Sequence, residues 1–196
     1  MNPNGVSLKN LLIETPESEI KKSAIISYPS LKGIKNNPGT LGLNIDLQNS
    51  KINLKDILTF VPQLKKQTSS LSPNTIFYVD AKITGKVSDL NFEKLILKGL
   101  NTTEINATGI VRGLPDSKKL YTNLTINKFQ SSKQDILSLI PKNSLPKTIT
   151  LPEKFNAAGR VKGGMNDLYT DLAINTSLGS AKINGTLINI TDKHKA

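Results

Sequence analysis

The chain has no cysteine and no tryptophan, one histidine, and aromatic residues amounting to only 5% of its 196 positions. Without cysteine there is no disulfide, no thiolate nucleophile and no sulfur ligand for a metal, a state compatible with periplasm and cytosol alike. The single histidine, His194, lies in Lys193-His194-Lys195-Ala196, where a chain end frays, so a Ser-His-Asp set would depend on a poorly held base. A zinc site would need mostly carboxylates, and no Asp/Glu cluster has the spacing for one. Gly159-Arg160-Val161-Lys162-Gly163-Gly164 is glycine-rich but lacks the G-K-[ST] ending of a phosphate loop. The expectation is a non-enzyme with no catalytic residue, no metal and no cofactor. No stretch approaches the ~20 apolar residues of a membrane helix. Met1-Asn2-Pro3-Asn4-Gly5 lacks the basic and apolar regions of a signal peptide, so an exported chain would be a piece of something longer.

What is abundant is lysine. The net charge is +11, yet Arg112 and Arg160 are the only arginines and the longest basic runs are pairs such as Lys65-Lys66 and Lys118-Lys119. Scattered lysines describe a solvated face and a soluble surface. A nucleic-acid platform would interleave basic residues with stacking aromatics, and the neighbours of Tyr78, Tyr121 and Tyr169 are dispersed; no nucleic acid is expected as a partner.

Apolar residues recur with period two, the pattern of strands buried on one face. Phe77, Val79, Ala81, Ile83, Gly85 and Val87 fall on one side, Tyr78, Asp80, Lys82, Thr84 and Lys86 on the other. Leu41 to Leu47, Ile105 to Val111, Leu120 to Ile126, Phe155 to Val161, Leu172 to Ile174 and Ile183 to Leu187 continue it, with Ile110 out of phase. Turn clusters such as Asn36-Asn37-Pro38-Gly39 and Gly163-Gly164-Met165-Asn166-Asp167 are short enough for an antiparallel meander. Glycines on the apolar side, Gly85, Gly109, Gly159 and Gly185, either let the sheet bend sharply or mark ordinary bulges.

One block recurs. Asp56-Ile57-Leu58-Thr59-Phe60-Val61-Pro62 returns 79 residues on as Asp135-Ile136-Leu137-Ser138-Leu139-Ile140-Pro141, followed in each copy by Gly-basic-Val and an Ile-Asn…Gly segment. The drifting, ordered repetition predicts two diverged copies of one β-rich unit, 41–118 and 119–196, after a leading β segment at 1–40. Each copy contains a short helix: Leu54, Ile57, Leu58 and Val61 share a helical face, Asn53 and Ser132 stand as caps, Asp56 and Asp135 in the first turn, Pro62 and Pro141 at the ends. Lys133 replaces Leu54, which narrows the second helix's apolar face.

A sheet with one apolar face and two short helices needs a cover. It either closes on itself as a sandwich or curls into a groove that an apolar ligand fills. Small residues mixed with aliphatic ones on that face, and few aromatics, leave room for a ligand.

The D-I-L-x-x-x-P element, with Ile110-Val111-Arg112-Gly113-Leu114-Pro115-Asp116 and Leu151-Pro152-Glu153-Lys154-Phe155-Asn156-Ala157-Ala158-Gly159-Arg160-Val161-Lys162-Gly163, resembles the AsmA-like superfamily, in particular TamB-type translocation and assembly proteins of Bacteroidetes-like bacteria. The resemblance covers roughly residues 40 to 190. It implies a segment of a long periplasmic protein anchored in the inner membrane, the anchor lying outside this chain. It also implies a taco-like sheet conducting phospholipid to the outer membrane, and work with an Omp85-type outer-membrane barrel in envelope assembly, through parts absent here.

The expected fold is therefore all-β: an elongated, curled antiparallel sheet with two short helices and two diverged repeats. The expected partners are phospholipid acyl chains, held by Phe77, Val79, Ile83, Val87, Leu95, Leu97, Ile105, Val111, Leu124, Ile126, Phe155, Val161, Leu172, Ile174, Ile183 and Leu187. A structural spacer or scaffold for outer-membrane protein assembly is the alternative, and a basic nucleic-acid-binding module a third reading.

Overall fold

The computed structural model describes residues 5–28, 30, 37–60, 65, 68, 70–139, 150–164 and 166–188. Val61, Pro62, Ile140, Pro141 and His194 lie outside them. The described chain is one antiparallel sheet whose ten strands pair in simple sequence order. These are β1 (Gly5–Glu14), β2 (Glu19–Ser27), β3 (Gly42–Asn53), β4 (Ile76–Lys86), β5 (Asp89–Gly99), β6 (Thr103–Arg112), β7 (Tyr121–Ser132), β8 (Lys154–Gly164), β9 (Asp167–Thr176) and β10 (Gly179–Ile188). Helix α1 (Leu54–Phe60) follows β3, and α2 (Lys133–Leu139) follows β7. The sheet is open and curled, as the meander reading anticipates, and β1 does not pair with β10.

The repeat is visible in the elements themselves. β3 and α1 recur as β7 and α2 at an offset of 79 residues, and even the 3-10 turn at Pro38–Thr40 returns at Ser117–Lys119. Leu41 and Leu120, read from the alternation as strand residues, occupy matching places just before β3 and β7.

Bulges supply the curl. Register shifts fall at Asn10 in β1, at Gln48-Asn49 in β3, at Glu93-Lys94 in β5 and at Asn127-Lys128 in β7, each near the middle of its strand. Each adds a residue to one strand of a pair, and the side chains so inserted are exposed and polar at Gln48, Asn49, Glu93, Lys94, Asn127 and Lys128. A face that gains residues becomes the longer one, so the sheet bends away from it and the opposite, apolar face turns concave. Asn49 tolerates the left-handed backbone its bulge demands, with φ of 48°.

Glycines complete the bend. Gly109 pairs with Phe92, just before the β5 bulge, and Gly159 with Ile126, just before the β7 bulge. Their φ values are 132° and 142°, and a Cβ on either would strike the backbone carbonyl of the adjacent strand, at Asn123 and Asp171 respectively. Gly85 behaves in the same way, but Gly185 does not: it has no heavy atom within 4 Å of a built Cβ and belongs to an ordinary stretch. Gly109→Ala is therefore expected to cost about 1–3 kcal/mol in urea unfolding, and Gly185→Ala close to nothing.

Helix α1 lies beside the β1–β2 turn and α2 beside the β5–β6 turn, on the same side of the sheet's strand ends. In α1 the Lys55 amide donates to Asn53 Oδ1 at 2.8 Å, and in α2 the Asp135 amide donates to Ser132 Oγ at 3.2 Å, so both expected caps form. Leu54 is buried at 2% exposure, whereas Leu137 and Leu139 on α2 stay nearly half exposed, in keeping with the narrower apolar face that Lys133 leaves.

Candidate apolar groove

Directly paired residues of antiparallel strands share a face, so the register sorts the whole sheet into two sides. One row across it reads Val79, Leu97, Ile105, Phe129, Ala157, Ile174, Ala181. The next reads Leu47, Ala81, Leu95, Ala107, Ile126, Gly159, Leu172, Ile183, and a third Ile45, Ile83, Phe92, Gly109, Leu124, Val161, Thr170. A fourth runs Leu43, Gly85, Leu90, Val111, Thr122, Gly163, Leu168, Leu187. From β3 to β10 the register puts no charged residue on this side. At ~4.8 Å per strand, these eight strands carry it over roughly 40 Å.

Fifteen of the sixteen residues read from the sequence as groove lining stand on this one face, Phe77 and Phe155 at its helix-bearing edge. Val87 is the exception. β4 ends at Lys86, and Val87 with Ser88 forms the two-residue turn to β5, its amide donating to the Leu41 carbonyl at 2.8 Å. The alternation overran the strand because a turn residue happened to continue it.

Other lining residues escaped the period-two reading. Phe92 and Phe129 sit on the concave face, but each is separated from its neighbour there by two polar residues, Glu93-Lys94 before Leu95 and Asn127-Lys128 after Ile126. That apolar-polar-polar-apolar break is the signature of the bulges and would have located both phenylalanines. Leu90 and Leu168 were missed because each opens its strand straight after a turn.

Few side chains of this face are fully buried. Among the described hydrophobic residues only Leu54, Ala81, Leu90 and Ala107 are fully buried, at 2–7% exposure. The alanines are small and walled in by larger neighbours on adjacent strands, while Leu95, Leu97, Ile105, Leu124, Ile126 and Val161 remain half-buried. A sandwich would bury such side chains on its inner faces. At the β10 end the lining opens further: Ile183 is 43% and Leu187 50% exposed.

The convex side is polar and largely self-neutralised. Lys128 meets Glu104 at 2.6 Å and Lys82 meets Glu93 at 2.5 Å, and Arg112 pairs with Asp89 at 2.9 Å. The Lys128 ammonium holds the Glu104 carboxyl below its usual range. Ile96 and Ile110, half-buried, and the exposed Ile188 are apolar exceptions on this side. Tyr121, Asn123, Arg160, Lys162 and Tyr169, which looked dispersed along the chain, are gathered by the register into one shallow depression. Asp167 lines it too and Asp171 stands opposite Arg160, so the patch is close to neutral.

Two aspartates that seemed merely helix-favouring tie the fold together. Asp56 Oδ2 accepts from Thr15 Oγ1 at 2.6 Å and from Ser18 Oγ at 2.5 Å, in the β1–β2 turn. Those bonds, Ser18 first, hold its pKa below the ordinary value. Asp135 accepts five hydrogen bonds from Asn101, Thr102 and Thr103 in the β5–β6 turn, at 2.8–3.2 Å. Burial pushes the Asp135 carboxyl up, and these donors more than reverse it, leaving the pKa lowered. In both copies the helix after a strand clamps the hairpin that precedes that strand. Asn53, buried at 1% exposure, leaves its Nδ2 without a partner, the one such buried side-chain atom among the described residues.

Among the described residues no helix is long and apolar enough to cross a membrane, and no three His, Asp or Glu stand together as metal ligands. Comparison with protein-family models, with curated proteins and with solved structures finds no match to this chain.

Proposed function

We propose that the concave face is a conduit for phospholipid acyl chains, and that the chain acts as one section of a periplasmic, AsmA/TamB-like envelope protein carrying lipid between inner and outer membranes without catalysis. The observation that supports this best is a charge-free apolar face, continuous from β3 to β10, that no described part of the chain covers. An acyl chain laid there leaves water at about 0.8 kcal/mol per buried methylene, and nothing polar need be desolvated against it. Head groups would stay at the open side of the groove, in water. A plain spacer would have no use for a lining held apart from its own side chains.

Photoreactive residues placed singly along β7 test the reading. With phospholipid vesicles present, adducts are expected at concave positions such as Leu124 and not at the adjacent convex position Asn123. Absence of lipid adducts along the whole strand would leave the spacer as the better account.

A further inference from the structure

We infer that the outer edge of β10 is an acceptor for one more antiparallel strand, of the β3/β7 type, followed by a helix whose first-turn aspartate closes onto the β9–β10 turn. The clamp points to this strand. The β1–β2 turn is held by Asp56, which follows β3; the β5–β6 turn is held by Asp135, which follows β7. The β9–β10 hairpin corresponds to these two, since β9 and β10 occupy in the second copy the places of β5 and β6 in the first. Its turn carries the hydroxyls of Thr176 and Ser177, as the others carry Thr15, Ser18, Thr102 and Thr103. No carboxylate among the described residues bonds to it: Thr176 Oγ1 donates back to the Gly179 carbonyl at 2.9 Å, and Ser177 Oγ only accepts, from the Glu153 amide at 2.9 Å.

Among the described residues, Lys182 on the convex side is the one charge guarding this edge. Solitary sheets blunt their edges with proline, bulges or inward charges. β1 has a bulge at Asn10, where φ is 53°. β10 pairs with β9 over ten residues without a register shift, contains no proline, and exposes Ile183 and Leu187 on the concave side. A second copy of the chain does not supply the occupant, because its β3 and β7 are both interior strands. The occupant is a polypeptide with alternating apolar residues, a polar pair at mid-strand and an [N/S]-x-x-D helix start. Its arrival would also extend the concave lining, but the inference does not depend on what the lining carries.

The full chain can be titrated with a synthetic peptide of residues 121–139, which comprise β7 and α2, and followed by hydrogen exchange. Slowed exchange is expected at alternate amides of 179–188. The Asp135→Asn peptide is expected to bind about tenfold more weakly, the loss of one charge-assisted contact, and Ser177→Ala in the protein to remove that difference. Excess phospholipid or detergent should leave this binding in place, whereas a peptide merely lying in the groove would be displaced. The inference is overturned by no protection of β10, by equal protection with a scrambled peptide, or by displacement with lipid.

Discussion

Asp135→Ala is expected to destabilise the fold by about 4 kcal/mol, more than alanine at the bend glycine Gly109. The side chain is 1% exposed and accepts from two backbone amides, two hydroxyls and the Asn101 side chain. Alanine leaves those donors without their acceptor, and each lost bond to a carboxylate costs more than a neutral one. Asp135→Asn keeps the shape and one acceptor but turns a donor toward the Thr102 and Thr103 hydroxyls; roughly half the loss is expected. Urea unfolding at neutral pH measures both.

The same residue sets part of the acid sensitivity. Its folded pKa lies below the ordinary carboxylate value of about 3.9, so the carboxylate's contribution is complete above that value. It is lost as the pH falls through about 4 toward the folded pKa, where the clamp must give up its charge. Asp56 and Glu104 act in the same direction. Unfolding midpoints should fall between pH 5 and pH 3, and fall less steeply in Asp135→Asn, by about the share this one group contributes.

The second large effect concerns lipid. Leu124 and Val161 are direct cross-strand partners on the concave face, both half-buried. Leu124→Asp with Val161→Asp sets two carboxylates across the path of an acyl chain, where each costs several kcal/mol to strip of water. Phospholipid recovered with the purified protein, measured by mass spectrometry, is expected to fall more than about tenfold, since 1.4 kcal/mol already gives that factor. The fold should survive, because an open groove lets both charges reach water; circular dichroism melting checks it. Asn123→Asp, the neighbouring residue on the convex side, should change neither quantity. A closed, packed interior would give the opposite pattern, with unfolding first.

Much of this architecture was legible before the coordinates. Strict alternation named one face through residues such as Val79, Ile105, Leu172 and Ile183, because a strand half in water must place its apolar residues two apart. The repeated Asp-Ile-Leu block located both helices, and Asn53 and Ser132 announced their caps. The failures have physical causes as well. Val87 was assigned to a strand because periodicity cannot see where a hairpin turns. Phe92 and Phe129 were hidden by bulges, which shift the phase of the pattern by one residue. Gly185 shared the sequence context of Gly109 but not its crowding, which depends on the strand lying next to it. The partners of Asp56 and Asp135 lie more than 30 residues away in sequence, and only the sheet's order brings those turns to the helices.

The central claim is that acyl chains run along one face only, and a photo-cross-linking scan of β7 tests it most directly. With a photoreactive residue at each position from 122 to 129 in turn, phospholipid adducts are expected at 122, 124 and 126, to skip both residues of the bulge, and to resume at 129. Adducts at the convex positions 123 and 125 as well, or none at any position, would contradict the account.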